Sequence, residues 1–420
     1  MKGSSEKRKV KKKIYGLFLL LALVSIGCFL ILFYKLPQKK QIGEVTLEMN
    51  KKQPIENAPK VLEENKVMNS KEQLTASEPQ TVFRFYEKQA KEKLLTMSLE
   101  EKVGQLFLAR CPDVGAIEQI KNLKPAGYVL FSRDFKDKTK EEVINTINAY
   151  QEASTLPMLM AVDEEGGSVV RISSNPQLAK APFKSPQALE QEGGLEAIRQ
   201  DAVAKAKLLK ELGISLNLAP VADVTNEPSA YMYGRAFGKQ ALETAEYVVT
   251  VVKAMQKAKL ASTLKHFPGY GSNGDTHTDL VRDTRPLRSF KEVDLIPFQK
   301  GIEQGVESIL VSHSIVEAMD SEYPASLSSK VHKLLREELG FTGVIMTDDL
   351  AMEAISLFSG EIHPAVLALQ AGNDLILISD LEESCAAVLA AVKHGEIEEA
   401  LIDEAVSRTL AWKYKMEIIK

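Results

Sequence analysis

Three short stretches of this 420-residue sequence combine residue types that could do acid/base and nucleophilic chemistry. The first is Lys265-His266-Phe267-Pro268-Gly269-Tyr270-Gly271, followed by Ser272-Asn273-Gly274-Asp275-Thr276-His277. An apolar run ends in an ammonium and an imidazole. Proline and glycines then force a loop that folds back and carries Asp275 and His277 at its far end. Two residues apart, the carboxylate can accept a ring N–H, fix the tautomer and raise imidazole basicity, which makes the pair an acid/base unit in outline. The second stretch is Val344-Ile345-Met346-Thr347-Asp348-Asp349-Leu350. It places a carboxylate at the end of a buried strand, where it is held rigidly enough to attack an anomeric carbon. Asp348 is the candidate nucleophile; strand alternation turns Asp349 away from the mouth, where a helix N-cap role suits it. The third is Asp163-Glu164-Glu165-Gly166-Gly167 with Arg171 downstream. Fixed carboxylates and guanidinium groups of this kind hold sugar hydroxyls. Asp163 is the strongest candidate there, while Glu164 and Glu165 also suit a charged loop.

His266, Asp275, His277, His313 and Asp348 could in principle surround a zinc ion. The H-x-H pattern of metal-dependent barrel hydrolases is missing, however, and Lys265 would bring an ammonium close to the cation. The expectation is chemistry with no metal and no organic cofactor. Cys28, Cys111 and Cys385 are too few and too scattered for a disulfide framework or a zinc site.

The elements that must position these groups show as eight short apolar runs, at 106–109, 127–131, 158–162, 214–218, 261–264, 308–311, 344–346 and 375–378. Helical patterns lie between most of them, at 139–153, 241–257, 330–339 and 382–393. Ser98-Leu99-Glu100-Glu101 reads as a capping box that opens the body, with Gly104 allowing close packing behind it. Continuous apolar strands separated by helices argue for a parallel sheet covered on its outside, and eight such units predict an α/β protein of the (β/α)8 TIM-barrel type. A doubly wound open sheet is the alternative, but the glycine-rich phosphate turn expected after its first strand is absent. The runs end in, or are soon followed by, Arg133, Asp163, Asp223, Lys265-His266, His313 and Asp348, which would ring one mouth of the barrel.

With 45% apolar residues the chain can bury a large core, and its net charge is only −4. No basic stripe runs through the body, so nucleic acid is set aside as a partner. The exception is residues 1–13, where Lys2, Lys7, Arg8, Lys9, Lys11, Lys12 and Lys13 face only Glu6. From Ile14 to Tyr34 there is no charge, and about 20 such residues span about 30 Å of hydrocarbon. The cationic flank puts the N-terminus in the cytoplasm and everything after Tyr34 outside. Cleavage as a signal peptide, or lipidation at Cys28, are the rival readings, and the apolar run continues past that cysteine. Residues 35–82, rich in Lys, Glu, Gln, Asn, Pro and Ser, read as a disordered spacer, and 83–420 as one catalytic domain.

The motifs SLEEKVGQLF, GYVLFSRD, VDEEGGSVVR, LNLAPVADV, GRAFG, KHFPGYGSNGDTH, PASLS, VIMTDDL and ALQAGNDLIL follow one another across the body. In this order they resemble glycoside hydrolase family 3 and, within it, β-N-acetylglucosaminidases of the NagZ type that act on bacterial cell-wall fragments. The resemblance implies Asp348 as nucleophile and the Asp275–His277 dyad as acid/base, with histidine replacing the usual second carboxylate. It also implies that Asp163, Arg171, Arg235, Lys265 and His266 bind the N-acetylglucosamine unit, and that cleavage is exo-acting and retaining. Glu164, Ser168, Tyr270 and Thr276 depart from the residues common in the family, which puts the aglycone preference in doubt rather than the reaction. The expected partners are a cell-wall carbohydrate and, through the apolar span, a membrane, with the chain acting as a monomer. Two enzyme alternatives remain, a family 3 β-glucosidase and a β-N-acetylglucosaminide phosphorylase. A catalytically silent wall-binding protein is the alternative from another class.

Overall fold

The computed structural model describes residues 81–271, 274, 281–352, 355, 358, 360 and 362–420. The apolar span at 14–34, the spacer as far as residue 80, and the Asp275–His277 dyad lie outside the described residues. Among the described residues no helix is long and apolar enough to cross a membrane.

All eight apolar runs contain strands: β1 (Phe107–Arg110), β2 (Gly127–Leu130), β3 (Leu159–Val162), β4 (Leu216–Asn217), β5 (Ala261–Phe267), β7 (Ser308–Val311), β9 (Val344–Thr347) and β10 (Ile376–Ile378). They form one parallel sheet in the order β10-β1-β2-β3-β4-β5-β7-β9. A parallel bridge between Met346 and Leu375 brings the last strand back beside β10, so the sheet is a nearly closed barrel of the TIM type. The short strands β6 (Arg282–Asp283) and β8 (Ile315–Val316) pair with each other in a separate two-stranded sheet.

Apolar continuity has its expected cause: β2, β3, β7 and β9 are buried along their whole length, between the barrel interior and the helices outside. Among those helices are Lys140–Ala153, Ala241–Lys257 and Leu381–Lys393, close to the periods read from the sequence. The capping box forms as spelled, with the Glu101 N–H donating to Ser98 Oγ at 3.3 Å and the Ser98 N–H to Glu101 Oε2 at 3.0 Å. Behind it, a Cβ on Gly104 would lie 2.1 Å from the Leu123 carbonyl oxygen, so only glycine lets this helix end approach the next. At the other edge, the Val82 N–H donates to Thr342 Oγ1 at 3.0 Å, and the helix Glu87–Leu94 packs on the C-terminal helix Glu399–Lys415.

Two irregularities matter for the site. In a regular strand consecutive side chains face opposite ways, yet Lys265 and His266 both line one cavity. The pairing of β5 with β7 shifts register between Leu264 and Phe267, which releases both residues from alternation. Asp348 and Asp349 likewise both line the cavity, because β9 has ended at Thr347. The expectation that alternation would turn Asp349 away from the mouth is therefore corrected. Its capping tendency survives only in a turn, where Oδ1 accepts the Ala351 N–H at 3.0 Å.

Candidate active site

A cavity of about 630 Å³ opens at the C-terminal ends of the strands. Asp163, Arg171, Arg235, Lys265, His266 and Asp348, six of the eight residues singled out from the sequence, line it.

The wall built by β3 to β5 is a closed charge network. Lys265 Nζ donates to Asp163 Oδ1 at 2.6 Å and lies 2.7 Å from Glu165 Oε1. Arg235 grips the same Glu165 through both carboxylate oxygens, Nε to Oε2 at 3.0 Å and Nη2 to Oε1 at 2.7 Å. Two cations thus meet two anions, Lys265 and Glu165 being buried and Asp163 and Arg235 each 17% exposed toward the cavity. Burial raises the Glu165 pKa, but Lys265 and Arg235 outweigh it and hold the carboxyl well below the usual carboxylate range. Burial lowers that of Lys265, but Asp163 and Glu165 outweigh it and keep the ammonium charged.

His266 is fixed from behind. Its Nδ1 meets Asp223 Oδ2 at 2.7 Å; a carboxylate only accepts, so Nδ1 carries the proton. Asp223 also receives the His266 N–H at 3.2 Å and the Tyr270 N–H at 2.9 Å, and it is 1% exposed. The ring's Nε2 is left toward Arg235 Nη2 at 3.4 Å and the cavity.

Asp348 follows β9. Its Oδ1 accepts the Asp349 N–H at 2.9 Å, and its backbone N–H donates to the Val311 carbonyl at 3.0 Å. Burial raises its pKa, but the His266 and His313 rings, the Asp349 N–H and Lys265 together prevail and hold it below the ordinary carboxylate value. The group is therefore an ionised carboxylate on a rigid strand end, the form a nucleophile requires.

The loop after β5 starts from a tight base. Gly269 and Gly271 have φ of 118° and 55°, and a Cβ on Gly271 would meet the Arg285 guanidinium at 2.6 Å. Arg285 is paired with Asp283 at 2.8 Å and with Asp294 at 2.8 Å. Burial pushes the Asp294 carboxyl up to about 6, against the pull of Arg285.

Other expectations are redistributed. Arg133 does not line the cavity: it pairs with Asp113 at 2.8 Å and donates to the Cys111 carbonyl. Glu164 is fully buried, and its Oε2 accepts the Arg171 and Ile172 N–H groups at 2.8 Å each, so it holds the loop that carries Arg171. His313 is buried behind the cavity, its Nε2 3.0 Å from the Asp349 carbonyl and its Nδ1 2.7 Å from Ser326 Oγ, so both ring nitrogens serve the scaffold. Among the described residues no three His, Cys, Asp or Glu side chains converge as a metal-ligand set. Glu165, the hub of the cation pair, was not separable from its neighbours in the sequence. Arg110, at the end of β1, carried no signal at all and also lines the cavity.

The fold and this cavity together define an α/β-barrel enzyme with its chemistry at the C-terminal strand ends. Residues 98–411 match the model of the glycosyl hydrolase family 3 N-terminal domain, and the chain belongs to that family of glycoside hydrolases. It is 35% identical over 294 residues to a β-hexosaminidase of Xanthomonas axonopodis pv. citri (strain 306), covering 68% of this chain and 86% of that one. Among solved structures it is similar to a glycoside hydrolase family 3 β-N-acetylglucosaminidase from Paenibacillus sp. str. FPU-7, at 34% identity and a TM-score of 0.72, spanning 77% of this chain and 63% of that chain. It also resembles a β-N-acetylhexosaminidase from Beutenbergia cavernae DSM 12333, at 26% identity and a TM-score of 0.66, covering 76% of this chain and 99% of that one.

Proposed function

We propose that this chain is a retaining exo-β-N-acetylglucosaminidase that removes terminal β-linked N-acetylglucosamine from peptidoglycan-derived glycans or muropeptides. The observation that carries the reading is the ionised Asp348 carboxylate at the end of β9, facing the same cavity as the β3–β5 network. The names of the relatives, β-hexosaminidase and β-N-acetylglucosaminidase, support the substrate class.

In this mechanism the polar wall holds the sugar. Asp163 accepts from hydroxyl groups, Arg171, Arg235 and Lys265 donate to them, and the Asp223-oriented His266 adds a fixed ring. Asp348 attacks the anomeric carbon while His277, assisted by Asp275, protonates the leaving oxygen. The covalent glycosyl intermediate is then hydrolysed by water that the same histidine activates, so the anomeric configuration is retained. The apolar segment 14–34 anchors the chain, and residues 35–82 let the catalytic domain, acting as a monomer, reach substrate outside the cytoplasmic membrane.

The test uses the full chain in detergent with aryl β-N-acetylglucosaminide and aryl β-glucoside, with and without chelator. The expected outcome is chelator-resistant release from the N-acetyl substrate, a β-configured first product by NMR, and a loss of at least about 10³-fold in Asp348→Ala. An α-configured product, or full activity in Asp348→Ala, refutes the mechanism.

A further inference from the structure

Around the cavity, the wall formed by β1 and β2 is built differently from the β3–β5 wall. Arg110 ends β1, Phe131 follows β2, and Arg171 reaches in from the loop after β3; all three line the cavity. The Arg110 guanidinium lies 4.3 Å from the Phe131 ring centroid and that of Arg171 lies 5.7 Å from the same centroid. The Nε atoms of both arginines are buried without a hydrogen-bond partner.

This is not how the scaffold treats its other arginines. Arg133, Arg199, Arg235, Arg282, Arg285, Arg288, Arg336 and Arg408 each have a carboxylate within 4.0 Å. Among the described residues, Arg110 and Arg171 are the arginines that are partly buried and lack one; Arg84, which also lacks one, is exposed. Asp349 is close enough for its carboxyl to feel Arg110, but it lies outside ion-pair range and is engaged with the Ala351 N–H. Two like charges on one aromatic ring, at the edge of a cavity and with no carboxylate in ion-pair range among the described residues, leave a place for an anion. Planar forked donors are matched to a carboxylate or a phosphate.

We propose that Arg110 and Arg171, stacked about Phe131, form an oxyanion subsite that selects a negatively charged group in the cavity. The ligand is either a carboxylate carried by the glycan or a free oxyanion such as inorganic phosphate. Arg110 is then a specificity-determining residue. The inference rests on the cavity being the glycosidase site proposed above.

The experiment compares the wild-type full chain in detergent with Arg110→Gln and Arg110→Lys. It measures kcat/KM for phenyl and 4-carboxyphenyl β-N-acetylglucosaminide, and phosphate binding by calorimetry. If the anion belongs to the substrate, the carboxyphenyl-to-phenyl ratio falls about fivefold or more in Arg110→Gln and partly returns in Arg110→Lys. If the anion is free, that ratio holds while phosphate binding weakens by roughly tenfold in Arg110→Gln and partly recovers in Arg110→Lys. A ratio and a phosphate affinity that both stay within about twofold of wild type in Arg110→Gln overturn the subsite. Failure of the wild type to cleave either glycoside refutes the glycosidase assignment instead, and the phosphate titration then decides the subsite by itself.

Discussion

The two walls of the cavity handle charge in opposite ways. On the β3–β5 side, Lys265 and Arg235 are neutralised by Asp163 and Glu165, and His266 is locked by Asp223, before any ligand arrives. On the β1–β2 side, Arg110 and Arg171 share an aromatic ring and, among the described residues, have no carboxylate in ion-pair range. A self-neutralised wall is preorganised: its donors and acceptors stay in place at no cost when a neutral sugar enters. A wall of unpaired charge waits for its counter-ion, so through Arg110 it can discriminate among substrates while Arg171 also reaches the sugar.

The largest effect should come from opening the closed wall. Glu165→Gln leaves Arg235 without its carboxylate and Lys265 with only one. Breaking a buried pair in this way costs about 3–5 kcal/mol, so the variant should melt several degrees lower and bind the aryl glycoside with a much raised KM. An unchanged melting temperature in a thermal scan would show that the network is looser than drawn. Next comes Asp223→Asn, which keeps the shape but lets the His266 tautomer change; kcat/KM should fall by roughly 10- to 100-fold with little change in melting temperature. A drop confined to stability would make Asp223 a scaffold residue only.

A smaller, pH-dependent effect lies beneath the loop. The folded pKa of Asp294, at about 6, is raised above its ordinary value of 3.8, so its contribution to stability is fully present below pH 3.8 and is lost as pH rises through 6. Asp294→Asn should therefore flatten that part of the stability–pH profile, read from melting temperatures between about pH 4 and 7. Asp348 is shifted the other way, so it stays ionised across this window and sets no limb of the activity profile there. The smallest effect is expected from Arg133→Ala. Its ion pair with Asp113 is largely solvent-exposed, and such pairs contribute about 0–1 kcal/mol. Activity within about twofold of wild type would confirm that Arg133 stands outside the cavity.

Much of this was legible in the sequence because it follows from local rules. Apolar runs separated by helical periods specify a parallel sheet covered by helices, since each strand must bury both faces. Ser98 and Glu101 spell their capping box within four residues. A carboxylate directly after a buried strand, as at Asp348, must emerge at one end of the barrel. Pairings between distant segments were beyond reach. Glu164 and Glu165 are adjacent and chemically alike, yet one ties down the 171–173 backbone and the other bridges Lys265 and Arg235. Asp349 reaches the cavity because β9 ends one residue before Asp348, a boundary that alternation cannot foresee. Arg110 ends β1 and Arg133 lies soon after β2, and only the fold gives Asp113 to Arg133 and leaves Arg110 with no carboxylate in ion-pair range among the described residues. Sequence by itself determined which elements form and where reactive groups leave them, because those depend on near neighbours along the chain. Which charges are cancelled and which are left for a ligand is a Coulombic property of groups as far apart in the chain as Asp163 and Lys265, and only the closing of the barrel decides it.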